Sequence, residues 1–194
     1  MEIRILQLGM LQTNCYIAWG DSADKCIVVD PGDEPERVKT CLETLGRTPE
    51  AILLTHGHFD HIGGVPELQE KYGCPVYLCE DDLSLPTRMT GGQLAGTTHY
   101  AEGDVLKLAG LTIRVLQTPG HTPGSVCLIA DDVMFSGDTL FAGSIGRTDF
   151  PGSNHGQMVR TLAMLAGLPE NYQVLPGHGK ETTLDEERRS NPFL

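Results

Sequence analysis

The chain has 194 residues, with 26 Asp and Glu against 14 Lys and Arg, for a formal net charge of −12. That excess of acid argues against nonspecific binding to nucleic acid or to an anionic membrane, because phosphate contacts need lysine and arginine. No apolar run is long enough to span a bilayer, and the length suits one well-cored domain covering 1–194.

In chain order, Met1-Glu2-Ile3-Arg4-Ile5 lacks the basic-then-apolar form of a signal peptide, which points to the cytoplasm. Ile3–Leu8, Asn14–Trp19 and Lys25–Val29 read as three consecutive strands, an antiparallel opening. Gly20-Asp21-Ser22 and Pro31-Gly32 supply the turns. Asp33 is placed to cap a helix carrying Val38, Cys41, Leu42 and Leu45 at helical spacing, with Gly46 ending it. Ala51–Leu54 is a short buried strand, a helix runs to about Tyr72, and Val76–Cys79 is another strand. Residues 81–104, with Pro86, Gly91, Gly92 and Gly96, show little periodicity and read as a flap over a site or a partly helical connector. Val105–Leu108, Leu111–Leu116, Ser125–Ile129 and Val133–Phe135 resume the strands, the last two joined by a turn at Asp131-Asp132. Asn154 caps a helix to Ala166, Tyr172–Leu175 is a strand, and Thr183-Leu184-Asp185-Glu186 is a capping box. Six scattered cysteines without a Cys-x-x-Cys spacing read as buried free thiols. Two similar halves, each a sheet with outer helices, would make a four-layer α/β/β/α sandwich.

The chemistry concentrates in Thr55-His56-Gly57-His58-Phe59-Asp60-His61. It follows an apolar strand and precedes a helix, a usual place for a site in an α/β fold. In extended chain His56 and His58 point the same way and can grip one ion, while Asp60 and His61, after the turn, aim elsewhere. Imidazole with carboxylate suits zinc, and also iron or manganese. Three further strand ends repeat the arrangement of apolar strand, glycine turn and one ligand-type residue. They deliver His121 in Thr118-Pro119-Gly120-His121, Asp138 in Ser136-Gly137-Asp138, and His178 in Pro176-Gly177-His178. Five histidines and two aspartates exceed the need of a lone zinc. They suit two divalent ions, with His56, His58 and His121 on one, Asp60, His61 and His178 on the other, and Asp138 bridging. His99 and His155 have no such context and read as solvated.

These motifs, with Gly146-Arg147-Thr148-Asp149-Phe150-Pro151, give the sequence its resemblance to the metallo-β-lactamase-fold hydrolases, in particular the short glyoxalase II-like (hydroxyacylglutathione hydrolase-like) group. The resemblance covers nearly the whole chain. It implies the α/β/β/α sandwich, the same seven ligands and two metal ions, zinc first among them. The implied reaction is hydrolysis of a small-molecule thioester or ester, such as S-2-hydroxyacylglutathione, by hydroxide bridging the two ions. Two divalent cations held by two carboxylates and that hydroxide keep a net charge of about +1, favourable for a developing oxyanion. Asp60 can also orient the nucleophile.

Only sixteen residues follow His178, where full-length glyoxalase II relatives have an added helical domain that supplies much of the glutathione site. Arg88, Arg147 and Lys180 are the candidate substrate anchors, although Arg147 can instead pair with Asp149. The nearest competing reading is an iron-dependent persulfide dioxygenase of the same fold, and a lactonase asks the same of the site. The missing export signal and the bridging Asp138 disfavour a β-lactamase, and the acidic charge disfavours a ribonuclease. A purely structural metal site is disfavoured by Gly57, Gly63 and Gly64, which leave room around the ions.

Overall fold

The computed structural model describes residues 1–21, 23–94 and 97–194. Strands β1 (Glu2–Leu8), β2 (Thr13–Trp19) and β3 (Lys25–Val29) form the antiparallel opening. Helix α1 (Pro35–Leu45) leads to β4 (Thr48–Leu53). Helices α2 (Phe59–Ile62) and α3 (Val65–Tyr72) lead to β5 (Val76–Cys79). A connector with a 3-10 turn (Glu80–Ser84) and helix α4 (Thr87–Thr90) ends in β6 (Thr98–Tyr100). The strands from β3 to β6 are parallel neighbours, so the first sheet reads β1-β2-β3-β4-β5-β6.

The second sheet starts with the antiparallel strands β7 (Val105–Leu108), β8 (Leu111–Gln117), β9 (Val126–Ala130) and β10 (Val133–Gly137). The small hairpin β11 (Leu140–Phe141) and β12 (Ser144–Ile145) stands apart from it. After α5 (His155–Ala166), β13 (Gln173–Pro176) lies parallel to β10, followed by β14 (Thr182–Thr183) and α6 (Leu184–Ser190). The order is β14-β13-β10-β9-β8-β7.

Side-chain alternation sets the layers. Val126, Leu128, Val133, Phe135 and Leu175 face the first sheet and share one core with Ile17, Ile27 and Ile52. Their strand neighbours Cys127, Ile129, Met134 and Val174 face the other way, against Met158, Leu162 and Leu165 of α5 and Leu184 of α6. Val38 and Leu42 of α1 and Leu68 of α3 cover the first sheet. This is the α/β/β/α sandwich expected. The rings of Tyr16 and Phe135 meet between the sheets at 5.3 Å. The Tyr16 hydroxyl donates to the Pro176 carbonyl at 2.6 Å, tying the sheets together just before His178.

Several local expectations need correcting. Asp33 does not cap α1. Among the described residues its carboxylate accepts only from the next backbone N–H, Glu34, at 2.7 Å, and Glu34 itself is the left-handed cap residue (φ 45°), with Pro35 opening the helix. The Glu34 carboxylate instead accepts from Gly9 N at 2.8 Å, a tertiary contact that local spacing does not reveal. The fourth strand starts three residues early, at Thr48, because Pro49 sits at a register shift opposite Cys26–Ile27, where its missing N–H costs no ladder bond. The connector 81–104 is partly helical, as one of its two readings had it; it also contributes β6 to the sheet, buries Asp82 and supplies Met89 to a cavity wall. Ser22 of the Gly20-Asp21-Ser22 turn, and Ala95 and Gly96 of the connector, lie outside the described residues. Asn154 caps α5 as expected, accepting from Gln157 N; Thr183 likewise accepts from Glu186 N, but the Glu186 carboxylate pairs with Arg189 at 2.7 Å, so the capping box is only half made among the described residues. All six cysteines are unpaired, and five are buried.

Candidate metal centre

Four strand ends converge at one rim of the sandwich. β4 runs out into the loop carrying His56 and His58. The single turn α2 then lifts Asp60 and His61 to the same place. β8, β10 and β13 end just before His121, Asp138 and His178 respectively. The glycine before His178 is required by contact: a Cβ on Gly177 would collide with Asp138 Oδ1 and stand 2.6 Å from His61 Cε1.

The seven groups fall into two abutting triads. His56, His58 and His121 form one, and Asp60, His61 and His178 the other, each with its donor atoms within 4.8 Å of one another. In the first, His58 Nδ1 and His121 Nε2 are 2.9 Å apart. In the second, His178 Nε2 lies 3.3 Å from Asp60 Oδ2 and 3.4 Å from His61 Nε2. Asp138 stands between them, with Oδ1 3.4 Å from His61 Nε2 and Oδ2 3.6 Å from His121 Nε2. Tetrahedral ligands about 2.0–2.1 Å from an ion lie about 3.3 Å from each other, so the spacing fits metal coordination.

Two further observations support that fit. Among the described residues, His56 Nε2 and Asp138 Oδ1, which face the triads, are buried without a hydrogen-bond partner. Such atoms cost about 1–3 kcal/mol each unless something else satisfies them. The outer nitrogens of four rings are occupied. His121 Nδ1 donates to the Arg147 carbonyl at 2.8 Å, and His178 Nδ1 to the Leu11 carbonyl at 3.1 Å. His61 Nδ1 donates to Asp30 Oδ2 at 3.0 Å. Thr55 Oγ1 gives its proton to Asp30 Oδ2 at 2.6 Å, so it accepts from His56 Nδ1 at 3.1 Å. Each of these rings therefore turns the lone pair of Nε2 inward.

Asp30 is the residue that motif reading missed. It ends β3 in a left-handed conformation (φ 49°), is 1% exposed, and also accepts from Thr55 N at 2.7 Å. A related signal was present, an apolar strand followed by an acid and Pro31-Gly32, with the acid before the Pro-Gly turn and not after it as at His121 and His178. Asp30, His56 and His61 also bring donor atoms within 4.8 Å. On that side, however, the ring nitrogens are the proton-bearing Nδ1 atoms, so Asp30 reads as a buttress.

The electrostatics divide the triads. Burial, reinforced by the neighbouring imidazoles, holds His56 far below its ordinary value and His58 at about 4. Burial also lowers His121, with Asp138 opposing. The first triad is thus neutral at pH 7, as a ligand set must be. In the second, burial works against charge, but the Asp138 and Asp30 carboxylates raise His61 and the hydrogen bond to Asp60 raises His178. Burial likewise disfavours the Asp60 carboxylate, yet the hydrogen bond from His178 and the charge of His61 keep it well below the usual carboxylate range.

Above the triads lies a cavity of about 420 Å³ walled by Leu11, Phe59, Met89 and Phe150, with His58, Asp60, His121, Asp138 and His178 as its floor. The anchors expected from sequence stand elsewhere. Arg147 forms a two-point pair with Asp149 at 2.9 and 2.8 Å and stacks over Phe150 at 4.1 Å. Arg88 lines a groove on the far side of Phe59, beside Asp33. Lys180 is exposed and is not among the described walls of the cavity. His99 is exposed on β6, away from the floor, and His155 is exposed at the start of α5, its ring 3.2 Å from the Thr148 hydroxyl.

Two triads that could each hold a metal ion, at the strand ends of an α/β/β/α sandwich, suit metal-dependent chemistry such as hydrolysis. Comparison with known proteins gives the family. The chain belongs to the metallo-beta-lactamase superfamily, whose model matches residues 8–178. It is 40% identical to the "Probable metallo-hydrolase YqgX" of Bacillus subtilis, over 100% of this chain and 98% of that one. It is 35% identical to the "Hydroxyacylglutathione hydrolase GloC" of Haemophilus influenzae, with the same coverage. Among solved structures, the BLEG-1 B3 metallo-beta-lactamase superposes with a TM-score of 0.88 at 38% identity, covering 100% of this chain and 99% of that one. TTHA1623 in a di-iron-bound form gives 0.85 at 40%, covering 98% and 100%. ETHE1 from Myxococcus xanthus gives 0.87 at 28%, covering 99% and 84%.

Proposed function

We propose that the protein hydrolyses thioesters at a two-metal centre, with S-2-hydroxyacylglutathione the first substrate to test. The observation that carries this reading is the buttressing of both triads: His56 and His121 in one and His61 and His178 in the other each have Nδ1 committed to a fixed acceptor. A mononuclear centre would need only one set so prepared. The GloC relative supports the thioester class.

His56, His58 and His121 would hold one ion, Asp60, His61 and His178 the other, and Asp138 would bridge them. Zinc suits this set, and iron does too, as the di-iron TTHA1623 structure suggests. When bound, the ions acidify water and polarise the acyl carbonyl. The chain does the rest. Asp60 stays ionised, its Oδ2 steadied by Thr13 Oγ1 at 3.4 Å, and is placed to accept a hydrogen bond from the attacking water. The second triad is the more open one, with the His178 side chain 28% exposed against 2% for His121, so the carbonyl approaches from that side. The water oxygen bonds to the acyl carbon, the C–S bond breaks, and the sulfur leaves with its electron pair and takes a proton. The carboxylic acid so formed releases its own proton.

The test is turnover of S-2-hydroxyacylglutathione by zinc-loaded and iron-loaded protein, with metal analysis and oxygen uptake on glutathione persulfide run on the same samples. Two metal equivalents with thioester cleavage are expected. One iron with rapid oxygen uptake and no cleavage would establish the persulfide dioxygenase alternative. A lactone and a β-lactam complete the panel, the latter because of the name borne by BLEG-1.

A further inference from the structure

We infer that the site selects its substrate by an apolar acyl group and not by an anionic carrier; this rests on the thioester reading above. The walls of the cavity are Leu11, Phe59, Met89 and Phe150, two aliphatic and two aromatic side chains, standing directly over the ligand floor. Leu11 and Phe59 are 54% and 49% exposed, apolar surface that gains by being covered. The apolar lining continues past Leu11 to Met10, which is 98% exposed, along a second groove on the β1–β2 turn.

Charge points the same way. No lysine or arginine is among the described walls of the cavity. Arg147, stacked over the wall residue Phe150, has its Nε–Nη2 edge paired with Asp149. Arg88 opens into a different groove, shared with Asp33. A carrier with carboxylates, such as glutathione, therefore meets no built cation beside the floor, and the net charge of −12 repels it at long range. An acyl chain, by contrast, meets about 420 Å³ of largely apolar space. At about 30 Å³ per water-sized group that is room for roughly a dozen such groups, enough for a medium-length chain once the reacting carbonyl is seated.

The test is a series of thioesters from acetyl to octanoyl, each made on glutathione and on uncharged N-acetylcysteamine, assayed with the metal-loaded full-length protein. Burial of a methylene is worth about 0.8 kcal/mol when complete, so kcat/KM should climb about two- to fourfold per added carbon and level off as the cavity fills. The same climb is expected on both carriers. Met89→Ala should flatten it, and Met89→Glu should reverse it; Met89 is half-exposed, so both variants should fold. Cleavage with a flat response to chain length, or a large preference for glutathione at every length, would overturn this inference and leave the thioester reading intact. No cleavage of any thioester would remove that reading itself.

Discussion

The buried carboxylate of Asp82 carries a prediction that joins the connector to the metal centre. Asp82 is 0% exposed. Its Oδ2 accepts from Gly57 N at 2.7 Å and from Thr122 Oγ1 at 3.0 Å, and its Oδ1 accepts from Gly124 N at 2.6 Å. Gly57 lies between His56 and His58, and Thr122 follows His121, so one side chain clasps both loops of the first triad. Asp82→Asn keeps the shape but turns one acceptor into a donor. Either Gly57 N or Gly124 N then faces an NH₂ and goes unpaired. An unpaired buried N–H costs about 1–3 kcal/mol, and the bonds lost are the stronger, charge-assisted kind. Sparing the burial of a charge offsets part of this, so the net loss at pH 7.5 should be about 1–3 kcal/mol by urea unfolding of the metal-free protein. Loosening the supports of metal ligands commonly costs 10–100-fold in affinity. A competitive-chelator titration should therefore show the first-triad step weakened by that factor and the Asp60/His61/His178 step unchanged. Unaltered stability together with two unaltered metal steps would refute the clasp.

The same carboxylate has a pH signature. Burial raises Asp82 from its ordinary 3.8 to about 6, with the hydrogen bonds from Gly124, Thr122 and Gly57 opposing. A carboxyl raised on folding contributes stability that is complete below about 4 and lost as pH climbs through about 6. The lift is worth roughly 3 kcal/mol. The wild-type advantage over Asp82→Asn should therefore shrink by about that amount between pH 4 and 6.5 and stay level above. A gap that widens over this interval would reverse the sign of the argument.

Other outcomes are more direct. Asp138→Ala should lose one metal equivalent and most turnover by elemental analysis and steady-state assay; two ions retained with full activity would dismiss the bridge. His99→Ala should leave metal content unchanged, since the ring is exposed on β6; loss of an ion would show that the ligand assignment is wrong. Asn154→Ala removes the bond from Gln157 N at 3.0 Å and should cost about 1 kcal/mol in thermal or urea unfolding without changing metal stoichiometry.

What the sequence disclosed depended on how local each cause was. His56, His58, Asp60 and His61 share one loop, and His121, Asp138 and His178 each follow an apolar strand, so type and position alone mark them. The cap at Asn154 was legible because its partner is three residues away. Asp82 was not legible, because its donors, two backbone N–H groups and the Thr122 hydroxyl, are 25, 42 and 40 residues distant and nothing around it has a period. β6, β11, β12 and β14 are two or three residues long, too short for an alternation to show. Asp33 misled for the opposite reason: it has the spacing of a cap, but Pro35 and the tertiary bond of Glu34 to Gly9 decide how that helix begins.

The buttresses explain why the ligands come from so many strand ends. A lone imidazole on a loop can present either nitrogen and rotate about its side-chain bonds, so an ion would have to fix both on binding. Here His61 and His56 are oriented through Asp30 and Thr55, at the ends of the adjacent parallel strands β3 and β4. His178 is oriented by the β1–β2 turn through Leu11, and His121 by the loop after β12 through Arg147. Three of the four acceptors, Asp30, Arg147 and Leu11, belong to elements other than those of the rings they hold, and Thr55, beside His56, is itself fixed by Asp30, so the fold selects the tautomer. The ordering cost is met when the chain folds and is not charged against the ion. The backbone of Arg147 thus has a role that its side chain does not share. Replacing the side chain leaves the carbonyl that fixes His121 in place, whereas moving the loop would not. A resemblance built on the Gly-Arg-Thr-Asp-Phe motif therefore reports on loop position at least as much as on the guanidinium, which is why its presence does not by itself assign Arg147 to the substrate.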